Sequence, residues 1–545
     1  MLNPVKDLVR QFDEDDLSLL VDLQIRRQLE YLVRPEDVSK KEWLVQCVLA
    51  THGTGLFREV VARKNLFLLL DPDQLAAKTE ELTGDSASLR RYDNAVMLAR
   101  LTWGIGAPVV DFVSDQFRIP LSFLPHQELG TPTVESLEPY SPLPSLHPHQ
   151  EDVRAQVVKR FQDNSGNLLV QMPTGSGKTR TMVEALASHW GKGLGRNCLV
   201  WLAHSEELCE QAADSISRVW PERAEAPIRL VRFFGKHEPR APEIVTSIVV
   251  ASVQKVYSRM QDESLLVKAL QSRTQAVVFD EAHQALAPTR NMVTEFLTAN
   301  GAPLVGLSAT PGRGLDDHQI NENTRLAAMF GGDLVVPTGE GSVLDRLTSE
   351  GILARVNHRE VETGVQVYPQ QRDLNEVGLG FDYSHGILTT LAEDRSRNKL
   401  LLEAVEKEIS EGRPAILFAC SVSHARMLSA ALNLRGVKAE CVHGEMRQPD
   451  RYSAVEDFRS GKIDVLTNFG VLTTGFDAPR TRTVIVARPT TSPVLYAQMI
   501  GRALRGPQMG GGAEGWVVNV RDNLDRFGDV TNVYHAFEQF WDQQG

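Results

Sequence analysis

The stretch Asn167–Leu186, NLLVQMPTGSGKTRTMVEAL, decides how this chain is read. An apolar run, NLLVQM, stops at a turn rich in glycine, and Met182, Leu186 and Trp190 then recur at helical spacing. Strand, glycine turn and helix form the layout in which backbone N–H groups at a helix N-terminus face an anion. The sequence nearly matches G-x-x-x-x-G-K-[ST]: Gly177, Lys178 and Thr179 are in place, and Met172 stands where the first Gly is usual. That position is where the chain leaves the strand, and a Gly there is not what holds phosphate. Thr174, Gly175, Ser176 and Gly177 are the expected phosphate cradle. Lys178 is expected to reach the β- and γ-phosphates of a nucleotide, and Thr179 to ligate Mg²⁺.

The texture around this stretch gives the fold class. NLLVQM, CLVWLA, IRLVRFF, SIVVAS, QAVVFD and PLVGLSAT are short apolar runs separated by amphipathic segments such as Glu207–Trp220. Such alternation predicts an α/β domain, a parallel sheet with helices on both faces. It restarts with AILFAC, VKAECV, IDVLTN, TVIVAR and GWVVNV. Residues 1–125 read differently. Leu17, Leu20, Val21, Ile25, Leu29 and Leu32 recur at helical spacing, and the runs Glu42–Ala62 and Ser88–Trp103 do the same. The expected organisation is a helical accessory domain (1–125), a Pro-rich extended linker (126–146), one α/β domain (147–337), a looser connection (338–386) and a second α/β domain (387–545).

Bulk numbers are compatible with this plan. A chain of 545 residues is too long for one core. The N-terminus MLNPVKDLVRQFDEDDL is charged, so no signal peptide is visible, and no apolar run reaches membrane-spanning length. The cysteines Cys47, Cys198, Cys209, Cys420 and Cys441 form no C-x-x-C pair, which argues against a zinc or iron–sulfur site and for reduced thiols in the cytoplasm. A net charge of −12 argues mildly against non-specific coating of nucleic acid, but leaves room for a local basic groove.

Further motifs carry chemistry. QAVVFDEAH (Gln275–His283) is an apolar strand ending in two carboxylates, which delivers acids to the C-terminal edge of a parallel sheet. Asp280 is expected to hold Mg²⁺, and Glu281 to orient and deprotonate an attacking water. YAQMIGRALR (Tyr496–Arg505) sets Gln498, Arg502 and Arg505 four and three apart, the spacing of one helical face. Both arginines are there as candidate fingers on a γ-phosphate. The acidic run Asp13–Asp16 reads as an exposed helix start, and the pairs Arg26–Arg27 and Arg90–Arg91 as solvated surface.

With GLSATPGR (Gly306–Arg313), LTTGFDAP (Leu472–Pro479) and LHPHQ (Leu146–Gln150), the set resembles the motifs of superfamily 2 helicases, over roughly His147 to Val530. The resemblance implies two tandem RecA-like domains, preceded by the all-α domain, with ATP in the cleft between them. It makes Gln150 the adenine-reading residue, Ser308 and Thr310 the coupling motif, and Gly475 and Asp477 second-domain contacts to ATP. Arg502 and Arg505 become the arginine fingers, and His283 and Gln498 a bridge across the cleft. Ser252, Gln254, Ser421 and Thr467 fall where these motors touch a sugar–phosphate backbone; for each, an ordinary strand-end hydroxyl or amide is the competing reading. SATPGR, VLTTGFDAP, QMIGRALR, VHGEM and EDFRSGKIDVL look most like the branch holding DNA-repair helicases and restriction-enzyme motor subunits.

The sequence departs from that branch at two places. Ser205 and Glu206 follow His204 where a basic residue is usual, and His147 and His149 stand where Arg and an aromatic residue are usual. The expected function is an ATP-dependent DNA helicase or translocase, with DNA in a groove across both RecA-like domains. The helical domain would choose the substrate, restrain the motor, or dock a partner such as a separate nuclease or complex subunit. An RNA- or double-stranded-RNA-stimulated ATPase and an ATP-gated clamp remain alternatives.

Overall fold

The computed structural model describes residues 3–104, 106–124, 132–137, 144–164, 166–312, 317–367, 382–472 and 478–522. Two sheets organise the chain. The first holds β1 (Val134–Leu137), β2 (Leu168–Gln171), β3 (Cys198–Ala203), β4 (Ile228–Phe233), β5 (Ser247–Ser252), β6 (Thr274–Asp280), β7 (Leu304–Ser308) and β8 (Leu334–Val335), in the order β1-β4-β5-β3-β6-β7-β2-β8. All its pairs are parallel except β1 with β4. The second holds β9 (Arg355–Glu362), β10 (Ala415–Phe418), β11 (Ala439–His443), β12 (Val465–Phe469), β13 (Thr483–Val486) and β14 (Glu514–Arg521), ordered β11-β12-β10-β13-β14-β9 and parallel throughout. Each is a RecA-like domain, and each of the eleven apolar runs read as strands lies on one of them. β2, β3, β5 and β7 are buried along their whole length, as strands covered on both faces must be.

Two expectations need correction. Val134–Leu137 lies inside the segment read as a linker unable to continue a sheet, yet it pairs antiparallel with β4, Val134 opposite Val231 and Leu137 opposite Ile228. An edge position explains this, because only one side of β1 needs a ladder. Likewise β9 lies in the stretch read as a connection, yet pairs with β14 from Arg355–Glu514 to Glu362–Arg521. Its residues RVNHREVE are only half-buried or exposed, so they lack the apolar run that marks the inner strands.

The N-terminal region is helical, but its long periodic runs are broken by caps. Leu17 to Leu32 forms two helices, Glu14–Leu20 and Leu23–Val33, because Asp22 turns the chain and its carboxylate accepts the Gln24 and Ile25 N–H groups. The helix Lys40–His52 stops at Gly53, at φ +50°.

These helices do not stand apart from the second domain. Leu29, Leu44, Val45 and Val48 belong to the same buried core as Leu428, Ala431, Leu432 and Ile485 of the second domain. The seam is sealed by polar contacts. Asn433 Nδ2 donates to the Ala50 carbonyl (3.1 Å), an Arg435 N–H to the Leu32 carbonyl (3.3 Å), and Gln28 Nε2 to the Glu393 carbonyl (2.6 Å). Arg58 pairs with Asp450 at 3.1 Å, and Arg395 lies over the Tyr31 ring. A shared core predicts shared stability. Leu29→Ala, at a fully buried position, is expected to cost about 2–5 kcal/mol. Hydrogen exchange should then show the helices Lys40–His52 and Val422–Leu434 losing protection together; loss confined to the N-terminal helices would contradict a common core.

Candidate active site

The phosphate loop joins β2 to the helix Lys178–Trp190. Met172, at the position where Gly is usual, is fully buried and packs with Val153, Val157 and Met182, while its N–H donates to the Ser308 carbonyl at 3.2 Å. The first position of the loop is therefore a core residue. The left-handed conformations fall later, at Gly175 (φ +86°) and Gly177 (φ +91°). A side chain at Gly177 would place Cβ 2.2 Å from Gln150 Nε2 and would have to displace that amide, on top of the strain of a positive φ. Gln150 is buried against the loop: its Oε1 accepts the His147 N–H (3.0 Å) and its Nε2 donates to the Ser176 carbonyl (2.9 Å).

Charge gathers at the loop's floor. Lys178 Nζ donates to the Met172 carbonyl at 3.2 Å. Burial pulls the Lys178 ammonium below the ordinary lysine range, opposed by the Glu281 and Asp280 carboxylates. Asp280 ends β6, and burial together with the neighbouring Glu281 charge pushes its carboxyl up to about 7, against the pull of Lys178. Glu281 follows at φ +53°, ψ +56°, a left-handed conformation that costs a residue with a side chain on the order of 1–3 kcal/mol. Strain of that kind persists where the surrounding structure fixes a side chain in one direction.

His283 links this floor to the rest of the site. Its Nδ1 lies 3.4 Å from Glu281 Oε2 and 3.4 Å from Ser308 Oγ, and its Nε2 lies 3.4 Å from Gln498 Nε2 of the second domain. An amide nitrogen only donates, so Nε2 accepts and the imidazole proton sits on Nδ1, facing Glu281 and Ser308. The Ser308 hydroxyl donates to the Thr310 carbonyl (2.7 Å) and accepts the Thr310 N–H (3.1 Å). The sequence-selected set Glu281, His283, Ser308, Thr310 and Gln498 is one continuous network spanning the cleft.

The second domain also reaches the loop. Gly501 approaches it so closely that a Cβ there would lie 2.6 Å from Thr174 Cβ, and the Arg505 Nε lies 3.9 Å from where Gly175 would carry one. Burial lowers the Arg502 guanidinium to about 10, with Glu281 opposing, and lowers Arg505 to about 10, reinforced by Arg459. One expectation is corrected here. The helix ends at Ile500, so Gln498 is helical while Arg502 and Arg505 are not on its face. The chain tightens into a turn, with the Arg502 N–H on the Met499 carbonyl and the Ala503 N–H on the Ile500 carbonyl, and Arg505 bridges to Leu353. The close approach of Gly501 to Thr174 leaves no room for a continuing helix with side chains on that side.

Thr179 lies in the first turn of the loop's helix. Gly475 and Asp477 lie outside the described residues. The four residues expected along a nucleic-acid path separate. Thr467 is fully buried and its hydroxyl donates to the Ala425 carbonyl (2.8 Å), which removes it from any surface a nucleic acid could touch. Ser252 and Ser421 cap helices, accepting the Lys255 and His424 N–H groups; Ser252 is buried and Ser421 half-buried. Gln254 is exposed and donates to the His204 carbonyl at 3.1 Å. Sequence reasoning missed His149, whose ring also contacts the loop, although its unusual place beside Gln150 was a signal.

Gly501 offers a clean test of the cross-domain contact, because its φ of −54° suits any residue and only space is at issue. Gly501→Ala should lower kcat for ATP about a hundredfold, while equilibrium nucleotide binding on the first domain stays within about threefold. Wild-type kcat would contradict the contact.

The type III restriction enzyme res subunit model matches residues 143–313, and the helicase conserved C-terminal domain model matches residues 396–507. The chain is 24% identical over 375 residues to the Saccharomyces cerevisiae protein named "Putative ATP-dependent helicase IRC3", covering 66% of this chain and 50% of that one. It is 22% identical to "Putative helicase 22" of a Sulfolobus islandicus filamentous virus, covering 66% and 62%. Among solved structures, S. cerevisiae Dbp5 bound to RNA and ADP BeF3 superposes with a TM-score of 0.44 at 16% identity, covering 74% of this chain and 93% of that one. The chain thus spans about half to three-fifths of the length of these curated relatives. With the two matched segments lying on the two sheets and their motifs meeting in one cleft, the chain belongs to the superfamily 2 helicases, related to the restriction-enzyme and repair group.

Proposed function

We propose that this chain couples ATP hydrolysis to movement along DNA, as the motor of a DNA-repair or phage-defence system. The observation that supports the reading is the network from Glu281 through His283 to Gln498, which links the proposed catalytic carboxylate to the second domain. ATP would lie with its phosphates over Thr174–Thr179. Lys178 draws charge from the γ-phosphate, and Glu281 takes a proton from the attacking water, its carboxylate held by the His283 Nδ1–H. Arg502 and Arg505 approach the same phosphate from the second domain and stabilise the charge that develops on it. When the phosphate leaves, these charges lose their common partner and the domains can part. Each such cycle shifts the grip on one strand.

Mg²⁺ fits the donors present. Asp280 and Thr179 offer hard oxygen ligands, and the raised Asp280 carboxyl marks a floor short of positive charge. A bound Mg²⁺ would neutralise phosphate oxygens as charge develops. Along the nucleic-acid path, exposed Gln254 and half-buried Ser421 are the two candidates left to meet a sugar–phosphate backbone. The N-terminal domain would be the docking place for a separate nuclease or complex subunit.

Two measurements test the reading. ATP turnover should rise at least about tenfold with single-stranded or duplex DNA; stimulation by RNA alone would overturn the DNA assignment. Glu281→Gln should lower turnover by about 10²–10⁴ and leave ATP binding within about threefold; equal loss of binding and turnover would give Glu281 a different role.

A further inference from the structure

The peptide between Ser176 and Gly177, at the crest of the phosphate loop, is held from one side by two donors. His149 Nε2 lies 3.0 Å and Gln150 Nε2 2.9 Å from the Ser176 carbonyl oxygen. A carbonyl only accepts, so the His149 imidazole carries a proton on Nε2. Its Nδ1 is buried with no hydrogen-bond partner among the described residues, and the residue is only 5% exposed. Burial, reinforced by His147, holds the imidazole below the ordinary histidine range, so it stays neutral near pH 7. The ring is fixed by its place in the fold: Pro148 opens the helix Pro148–Gln162, His149 and Gln150 follow in its first turn, and the His147 N–H pins the Gln150 amide.

The consequence follows from peptide geometry. In a trans peptide the C=O and N–H point to opposite sides of the chain. Anchoring the Ser176 oxygen toward the Pro148–Gln162 helix therefore turns the Gly177 N–H away from it. That side is where the loop's N–H groups and the N-terminus of the helix Lys178–Trp190 receive an anion. We propose that His149 is a positioning residue of the phosphate cradle: with Gln150 it fixes the Ser176–Gly177 peptide so that the Gly177 N–H is presented to the phosphates of a bound nucleotide. The proposal rests on the nucleotide site described above and adds to it a side chain that touches no substrate.

The test compares His149→Met, which keeps bulk and loses the donor, with His149→Gln, which keeps an N–H at similar reach. ADP and adenosine affinities are measured without nucleic acid, by displacement of a fluorescent ADP analogue. His149→Met should weaken ADP about fivefold and leave adenosine unchanged, so the effect is read within one variant and does not depend on its stability. In steady state its KM for ATP should rise by a similar factor, with kcat within about twofold. His149→Gln should restore ADP affinity to within about twofold of wild type. Equal weakening of ADP and adenosine by His149→Met, or no weakening of either, would overturn the proposal, as would a His149→Gln variant no better than His149→Met. A wild-type chain that binds no ADP would instead overturn the nucleotide site itself.

Discussion

The contact of the Gln498–Arg505 segment with the phosphate loop is the constraint on which the rest of the site depends. Gly501 and Thr174 are so close that neither could carry more bulk on the facing side. That closeness brings Gln498 to His283 and sets Arg505 beside Gly175. Without it, the first domain would hold a nucleotide loop and two acids, and the second would hold two arginines facing water. In the proposed cycle, a site divided between two bodies would convert hydrolysis into relative motion, because the reacting phosphate would be the common partner of charges on both sides.

The electrostatics are arranged for an occupant. Lys178, Asp280 and Arg502 all feel burial, and each is shifted toward its neutral form. Buried charges hold such positions only when paired, and a triphosphate with its cation would pair all of them. Glu281 adds backbone strain to this poised state, and His283 keeps its carboxylate in place. The N-terminal helices add a second constraint. They share a core with the second domain and reach its helix Gln448–Arg459 through Arg58 and Asp450, where the adjacent Arg451 pairs with Glu207 of the first domain. The helical region is thus carried by the second domain and lies one residue away from a contact with the first.

Much of this was legible in the sequence. The inner strands announced themselves because burial on both faces demands an unbroken apolar run, as in SIVVAS and TVIVAR. That the cradle, the two acids and the bridge residues lie together was legible, because each falls at the end of a strand or helix that the pattern marks. What escaped notice had physical reasons. β9 and β1 are edge strands, and an edge needs only half of that pattern. The spacing of Gln498, Arg502 and Arg505 suits a helix, but a spacing rule does not see the Thr174 side chain that Gly501 must pass. Thr467 falls where the resemblance places a contact to a sugar–phosphate backbone, but the direction of a hydroxyl depends on its neighbours; here the Ala425 carbonyl claims it, the ordinary structural reading. The docking of the N-terminal helices was hidden because an apolar helix face reads the same whether a sheet or another helix covers it.

The central claim is that turnover needs the second domain's arginines on a phosphate held by the first. Single-turnover hydrolysis of ATP by the Arg505→Ala chain, with nucleotide occupancy measured in the same reaction, tests it most directly. The account predicts a rate about 10³-fold below wild type at full occupancy. Hydrolysis at the wild-type rate would place the chemistry within the first domain alone and contradict the composite site.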